Sequence, residues 1–397
     1  MQFRVDEMDL PQIRLRWVGL DARPVLHGAP GMHVSFGSNP GDLRMFSFVP
    51  DKRQKAPALI VVLHGCGQTA AGYDLGAGWS TLAKRYGFAL LMPQQQACNN
   101  VNGCFNWFNP EDTARERGEA CSIRQMIAHM VGDIGIDPHR IFVTGLSAGG
   151  AMTSVMLATY PEVFAGGAVI AGLPFGVATN VREALSGMFQ SASRPAGELG
   201  DLVRNASNHK DPWPKLSVWH GSADRTVNPA NANEIVKQWL DVHDLPSAPM
   251  SEATVDGYPR QVWWNEDGET IIESYTITDM AHGTPLGTAD NDERYGAQGA
   301  FLIEAGISSS YHIANFFGLT EWIRPPKVAA ASKASKELAK MIPVLAPTPA
   351  PVPDLEAVLW PRTTLNRRAE PPHQPQRSGI DVGGVITRAL TAAGLMK

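Results

Sequence analysis

The sequence predicts an α/β architecture, a mostly parallel central sheet with helices on both faces. Three observations carry that expectation. Strand-sized, β-rich runs recur along the chain, at 58–63, 88–93, 141–144, 166–173, 216–219 and 275–278. Segments with helical character, 122–131, 150–158 and 230–240, alternate with them, and strands alternating with helices imply parallel pairing with both faces covered. Four of the runs also end in glycine-bearing turns that carry polar side chains. In open α/β sheets ligands bind at such strand ends.

Taken in order, residues 1–40 form an irregular N-terminal segment rich in glycine and proline. Residues 41–50 then alternate like an edge strand. The run 58–63 is continuously apolar, which suits a buried parallel strand, and leads into the turn His64-Gly65-Cys66-Gly67-Gln68. Residues 88–93 form the next short buried strand, and 122–131 place apolar residues at helical spacing. The run 141–144 enters Gly145-Leu146-Ser147-Ala148-Gly149, and a helix-prone stretch leads out of it. Residues 166–173 are a further core strand. Strand 216–219 delivers Asp224 on a turn, ahead of a helix announced by Asn228-Pro229. Strand 275–278 is followed by a loop carrying His282, and His312 sits in a helical pattern with Ile313, Phe316 and Phe317.

The compact domain is expected over 41–324. A proline-rich linker, 325–378, and an amphipathic helix, 379–397, are expected to follow it. That last helix would dock back on the domain surface or meet a partner.

Composition narrows the function. The chain has 397 residues, 44% hydrophobic and 18% charged, with a net charge of −5. That balance suits a soluble globular enzyme and offers no broad basic surface for nucleic acid. No apolar run approaches the ~20 residues needed to span a bilayer, so no transmembrane segment is expected. The first ten residues lack the basic-then-apolar layout of a secretory signal, so no export route is visible and the cytoplasm stands as an alternative compartment. No metal-binding histidine motif and no nucleotide-type glycine loop occurs, so neither metal nor organic cofactor is expected.

The G-x-S-x-G pattern at 145–149 carries the chemistry. On a sharp strand-to-helix turn, a serine hydroxyl is pushed out above the sheet, and the following helix N-terminus favours developing negative charge. Ser147 is thus the expected nucleophile, Asp224 the acid and His282 the base. The chain order Ser, Asp, His is that of the α/β-hydrolase fold. The backbone N–H groups of Cys66 and Ala148 are the expected oxyanion donors. Asp279, beside the histidine, is the alternative acid. His64 and His220, at strand ends, are expected to satisfy backbone groups, and His312 to be structural. Trp107 is the expected apolar wall for an acyl chain, Asn106 a group to orient a carbonyl, and Leu173 a weaker wall residue. Trp107 could equally be core.

Cys66, Cys98, Cys104 and Cys121 fall in one stretch and allow three pairings or a fully reduced set. A Cys66–Cys104 bond would pin the oxyanion loop to 105–108 and leave Cys98 to reach Cys121.

Together these motifs resemble the esterase family of polyhydroxybutyrate depolymerases. The resemblance rests on residues 64–68, 103–108, 145–152, 220–224, 280–286 and 304–310, and covers roughly 42–322. It implies a serine esterase of 3-hydroxyalkanoate polymers or oligomers, commonly extracellular or periplasmic. Similar cores act as feruloyl or acetylxylan esterases on plant polysaccharide. The sequence departs from the family pattern at Phe105, where a tryptophan is often found, and shows no Ser/Thr-rich linker with a separate polymer-binding domain.

Overall fold

The computed structural model describes residues 31–321 apart from 34, 211 and 290–292. Most of the expected irregular N-terminal segment, the linker 325–378 and the helix 379–397 lie outside the described residues.

Strands β1 (Gly31–His33), β2 (Arg44–Phe48) and β3 (Leu59–Leu63) precede helices α1 (Ala70–Ala77) and α2 (Trp79–Tyr86). Strand β4 (Ala89–Gln94) leads to α3 (Pro110–Thr113) and α4 (Gly118–Ile134), and β5 (Ile141–Leu146) to α5 (Ala148–Thr159). Strand β6 (Gly166–Ile170) is followed by α6 (Val181–Gln190) and α7 (Ala196–Arg204), and β7 (Lys215–Gly221) by α8 (Ala230–Val242). Then come β8 (Ser251–Val255), β9 (Tyr258–Trp264) and β10 (Thr270–Ile277). The short strands β11 (Thr284–Leu286) and β12 (Leu302–Glu304) pair with each other, and α9 (Ser309–Phe316) closes the described chain.

Ten strands form one sheet in the order β1-β2-β4-β3-β5-β6-β7-β10-β9-β8. The central strands, from β4 through β10 in that order, are parallel, and the outer pairs at each edge are antiparallel. This is the expected α/β-hydrolase architecture. Strand β3 shows why both faces must be covered. Its Leu59, Val61 and Leu63 enter one core with Met126 and Met130 of α4, Met152 and Met156 of α5 and Trp239 of α8. Its Ile60 and Val62 enter the other with Tyr73 of α1, Trp79 and Leu82 of α2 and Ile313 of α9. Successive side chains of a strand point to opposite faces, so an apolar run is stable only between two helical layers.

Two local expectations change. Residues 41–50 do not supply the sheet edge: β2 lies between β4 and β1, with Gly31 opposite Ser47 and His33 opposite Met45. Residues 31–33, placed by sequence in the irregular segment, therefore form the edge. Three residues have no readable alternation, and only pairing with β2 makes them a strand. The β8–β9 hairpin was legible in principle. Asp256 and Gly257 both have positive φ (50° and 88°), the requirement of a tight two-residue turn for which Asp-Gly is favoured.

Candidate active site

The carboxyl ends of the parallel strands gather the residues singled out by sequence. Cys66 follows β3, Ser147 follows β5, Leu173 follows β6, Asp224 follows β7 and His282 follows β10. Because β3, β5, β6, β7 and β10 are consecutive neighbours in the sheet, their loops share one edge.

Ser147 sits between β5 and α5 with φ 58° and ψ −118°, a conformation L-residues rarely adopt, and its amide donates to the Ile170 carbonyl at 2.9 Å. Holding such a backbone costs on the order of 1–3 kcal/mol and persists only where the surroundings over-determine it. The flanking glycines show how. A Cβ on Gly145 would lie 2.4 Å from the Gly149 carbonyl oxygen, and one on Gly149 would lie 2.3 Å from that of Leu63. Strand β3, the turn and α5 approach so closely that only hydrogen fits. Ser147 remains half-buried rather than sealed.

Asp224 and His282 meet. His282 Nδ1 donates to Asp224 Oδ2 at 2.6 Å, which leaves Nε2 as the ring's basic nitrogen. The other carboxylate oxygen accepts the amides of Thr226 (2.8 Å) and Val227 (2.9 Å). His220 Nε2 lies 3.1 Å from Asp224 Oδ2 and donates also to the Val227 carbonyl at 3.0 Å. Burial acts to raise the Asp224 pKa. The hydrogen bonds from His220 and His282, the His282 charge and the Val227 amide outweigh it and hold the carboxyl well below the usual range. The Phe301 ring packs edge-on against His282 at 5.8 Å. Asp279 is exposed at positive φ, its amide bonded to Ser222 Oγ. His312 of α9 bonds Asp256 at the β8–β9 turn.

Cys66 is joined to Cys104, one of the pairings the sequence left open, while Cys98 and Cys121 are free rather than bonded to each other. The disulfide ties the turn after β3 to the segment 99–108, and Gly67 reinforces it by donating to the Asn102 carbonyl at 2.8 Å. Gln68 accepts from the Gly65 amide and donates to the Ala300 carbonyl, joining the same turn to the loop that carries Phe301. The amide of Ala148 lies at the first position of α5, where no intrahelical acceptor exists. Among the described residues neither it nor the Cys66 amide donates to another protein group.

Trp107 is almost wholly buried in the core beside Phe108, and Leu173 is buried with its carbonyl accepting from Ser154 Oγ. Asn106 spends its side chain within the protein: Oδ1 accepts from Asn100 and Nδ2 donates to Glu119. Asn106 and Phe108 line an open groove of about 590 Å³ with Asn100, Asn109, Asp112 and Asn180, and neither Ser147 nor His282 lines it.

Two residues, Gln95 and Glu119, escaped the sequence reading of the site, while His220, expected only to satisfy backbone groups, meets the Val227 carbonyl and the Asp224 carboxylate as well. Gln95 donates to Cys104 and Glu119, and its amide donates to His64 Nε2. Burial takes the His64 pKa down to about 4 against the pull of the Gly65 carbonyl, so its imidazole is a neutral spacer between backbone groups. Glu119, in the first turn of α4, gave no signal beyond favourable charge at a helix start.

Among the described residues there is no helix long and apolar enough to cross a membrane, and no cluster of side chains suited to a metal ion. The family profile described as esterase PHB depolymerase matches residues 47–254. Poly(3-hydroxyalkanoate) depolymerase C of Paucimonas lemoignei is 46% identical over 286 residues, 72% of this chain and 69% of that protein. An acetylxylan esterase of Coprinopsis cinerea is 34% identical over 63% of this chain and 68% of its own length. Feruloyl esterase B of Neurospora crassa is 33% identical over 64% of this chain and 87% of its own. Among solved structures, the acetyl xylan esterase from Aspergillus awamori superposes with a TM-score of 0.59 at 27% identity, covering 64% of this chain and 94% of that one.

Proposed function

The chain belongs to the PHB depolymerase esterase family, a carboxylic ester hydrolase, and on that premise we propose that it cleaves polyhydroxyalkanoate polymers or oligomers of the 3-hydroxybutyrate type. The likeness to the Paucimonas lemoignei depolymerase supports the substrate class. The observation that carries the mechanism is the Asp224–His282 pair, set at the same sheet edge as a serine held in a strained turn.

In this reading Ser147 Oγ attacks the ester carbonyl while His282 Nε2 takes its proton. The amides of Cys66 and Ala148 receive the negative oxygen of the tetrahedral intermediate. His282 then protonates the departing alcohol, leaving an acyl group on Ser147. Water, deprotonated by His282, attacks that acyl group and restores the serine. Asp224 keeps Nδ1 protonated and stabilises the imidazolium without taking the proton itself. Trp107, packed in the core, shapes the acyl side only by supporting its neighbours Asn106 and Phe108, which line the groove. The Cys66–Cys104 disulfide favours an oxidising compartment, extracellular or periplasmic, over the cytoplasm.

A second reading, a feruloyl or acetylxylan-type esterase, draws support from the similarity to those enzymes and from the amide-rich groove beside Asn106. The test is hydrolysis of p-nitrophenyl butyrate, alongside release of 3-hydroxybutyrate from soluble oligomers and solid polymer, with Ser147→Ala as control. Activity on oligomer or polymer that disappears in the variant supports the first reading. Activity on feruloyl or acetyl-xylan esters with none on hydroxybutyrate esters establishes the second. Retention of esterase activity by Ser147→Ala overturns the mechanism.

A further inference from the structure

We propose that Glu119 is a positioning residue that sets the substrate wall 106–108 through a buried clamp, and that the clamp tightens when its carboxyl ionises. The proposal rests on the esterase reading for its kinetic consequence, but its geometry is independent of it. Glu119 is 1% exposed. Its Oε2 accepts the Asn106 backbone amide at 2.9 Å, and its Oε1 accepts both Asn106 Nδ2 at 2.8 Å and Gln95 Nε2 at 2.5 Å. All three partners are donors, and an ionised carboxylate accepts from all of them with charge-assisted bonds and no O–H left to place.

The clamp faces in two directions. Asn106 precedes Trp107 and lines the open groove with Phe108. Gln95 carries the connection onward, donating through Nε2 to the Cys104 carbonyl and through its amide to His64. One carboxylate thus joins the segment 106–108 to the disulfide and the turn bearing Cys66.

Its ionisation is opposed. Burial, and then the nearby Asp112 carboxylate of α3, raise the Glu119 pKa to about 8, while the Asn106 and Gln95 donors pull it down. Asp112 is held in place by Asn109 Nδ2 at 2.7 Å. The remaining groups nearby are engaged elsewhere. His64, reached through Gln95, stays neutral above about pH 4, and Cys104 is in the disulfide. Gly41, packed against the Glu119 backbone, brings Asp42, whose carboxylate turns to the Cys98 thiol. On α4 itself, burial pushes the Cys121 thiol up, and Arg117 just before the helix is paired with Glu111. Protonated, Glu119 gains an O–H among these donors and loses the charge that strengthens all three bonds, so the clamp slackens. Ionised, it holds all three.

The experiment is kinetic and spectroscopic, on the full chain. KM for a soluble hydroxybutyrate oligomer should fall about fivefold between pH 6.5 and 9, with a midpoint near 8, the scale of strengthening a hydrogen bond by charge. KM for a short p-nitrophenyl ester should move little, because it does not reach the groove. Glu119→Gln, which cannot ionise, should keep the high oligomer KM at every pH while retaining most of kcat. Asp112→Asn should move the midpoint downward, since it removes the repelling charge at nearly the same side-chain shape. Independently of turnover, the Trp107 emission, taken as wild type minus Trp107→Phe, should titrate near pH 8 and be flat in Glu119→Gln. A flat oligomer KM and flat Trp107 emission in the wild type overturn the proposal, as does an unchanged KM profile in Glu119→Gln. If Ser147→Ala remains active while the emission still titrates, the esterase mechanism fails and the clamp stands.

Discussion

His282 Nδ1 and Asp224 Oδ2 are joined at 2.6 Å although 58 residues separate them in the chain. The contact is made by two loops leaving adjacent parallel strands, β7 and β10, whose register sets Ile277 opposite Gly221. It fixes the imidazole tautomer, and the first prediction follows from that.

Asp224→Asn keeps the shape of the side chain but can present an N–H to Nδ1, which favours the wrong tautomer. Turnover should fall by about 10⁴-fold with KM little changed, measured on p-nitrophenyl butyrate. A loss of less than tenfold would remove Asp224 from the mechanism.

The depressed Asp224 pKa also has a stability consequence. A carboxyl held below its ordinary range stabilises the fold above pH ~4, and that contribution fades as pH drops toward its folded value. Thermal midpoints from pH 5 to pH 2 should therefore decline less steeply for Asp224→Asn than for the wild type. Parallel declines would show that the carboxylate is not favoured by the fold.

His220 shares the same carboxylate oxygen, and among the described residues its buried Nδ1 has no partner. Because its Nε2 faces only acceptors, it must carry the proton there. His220→Ala should lower kcat by about tenfold, the scale of one hydrogen bond to a charged group. Circular dichroism should show the fold retained; an unchanged kcat would make His220 a packing residue only.

Gly149→Ala tests the strained turn. The added methyl must displace the Leu63 carbonyl, a backbone atom that cannot swing aside. Overpacking of this kind costs ~1–3 kcal/mol, so the thermal midpoint should drop by several degrees and activity should drop with it. A normal midpoint with normal activity would mean that the turn relaxes freely.

Reduction of Cys66–Cys104 opens a loop whose ends lie 38 residues apart, so stability should fall by about 2–4 kcal/mol. Activity should fall as well, since the turn bearing the Cys66 amide loses its tie to 99–108. Thiol titration before and after reductant, with melting curves and initial rates, reads both effects. A reduced protein with full activity would separate the disulfide from the oxyanion turn.

What was legible in the sequence was local. The apolar runs of β3, β5 and β6 announce strands buried on both faces, and Gly145 to Gly149 announces a strand-turn-helix junction, because each signal lies within a few neighbouring residues. The positions of Asp224 and His282 just after strand ends were readable for the same reason. Strand β1 was not, since three residues without alternation become a strand only through pairing with β2.

By itself, then, the sequence determined the parallel sheet, the family and the strand ends on which polar side chains are displayed. Only the tertiary structure decided which of those side chains meet. It joined His282 and His220 to one oxygen of Asp224, chose Cys104 for Cys66 while leaving Cys98 and Cys121 apart, and buried Glu119 beneath Asn106. The reason is physical. Strand and turn preferences arise from sterics and burial over a few residues, whereas these contacts depend on the order of strands in the sheet and on the low-dielectric interior that the assembled layers create.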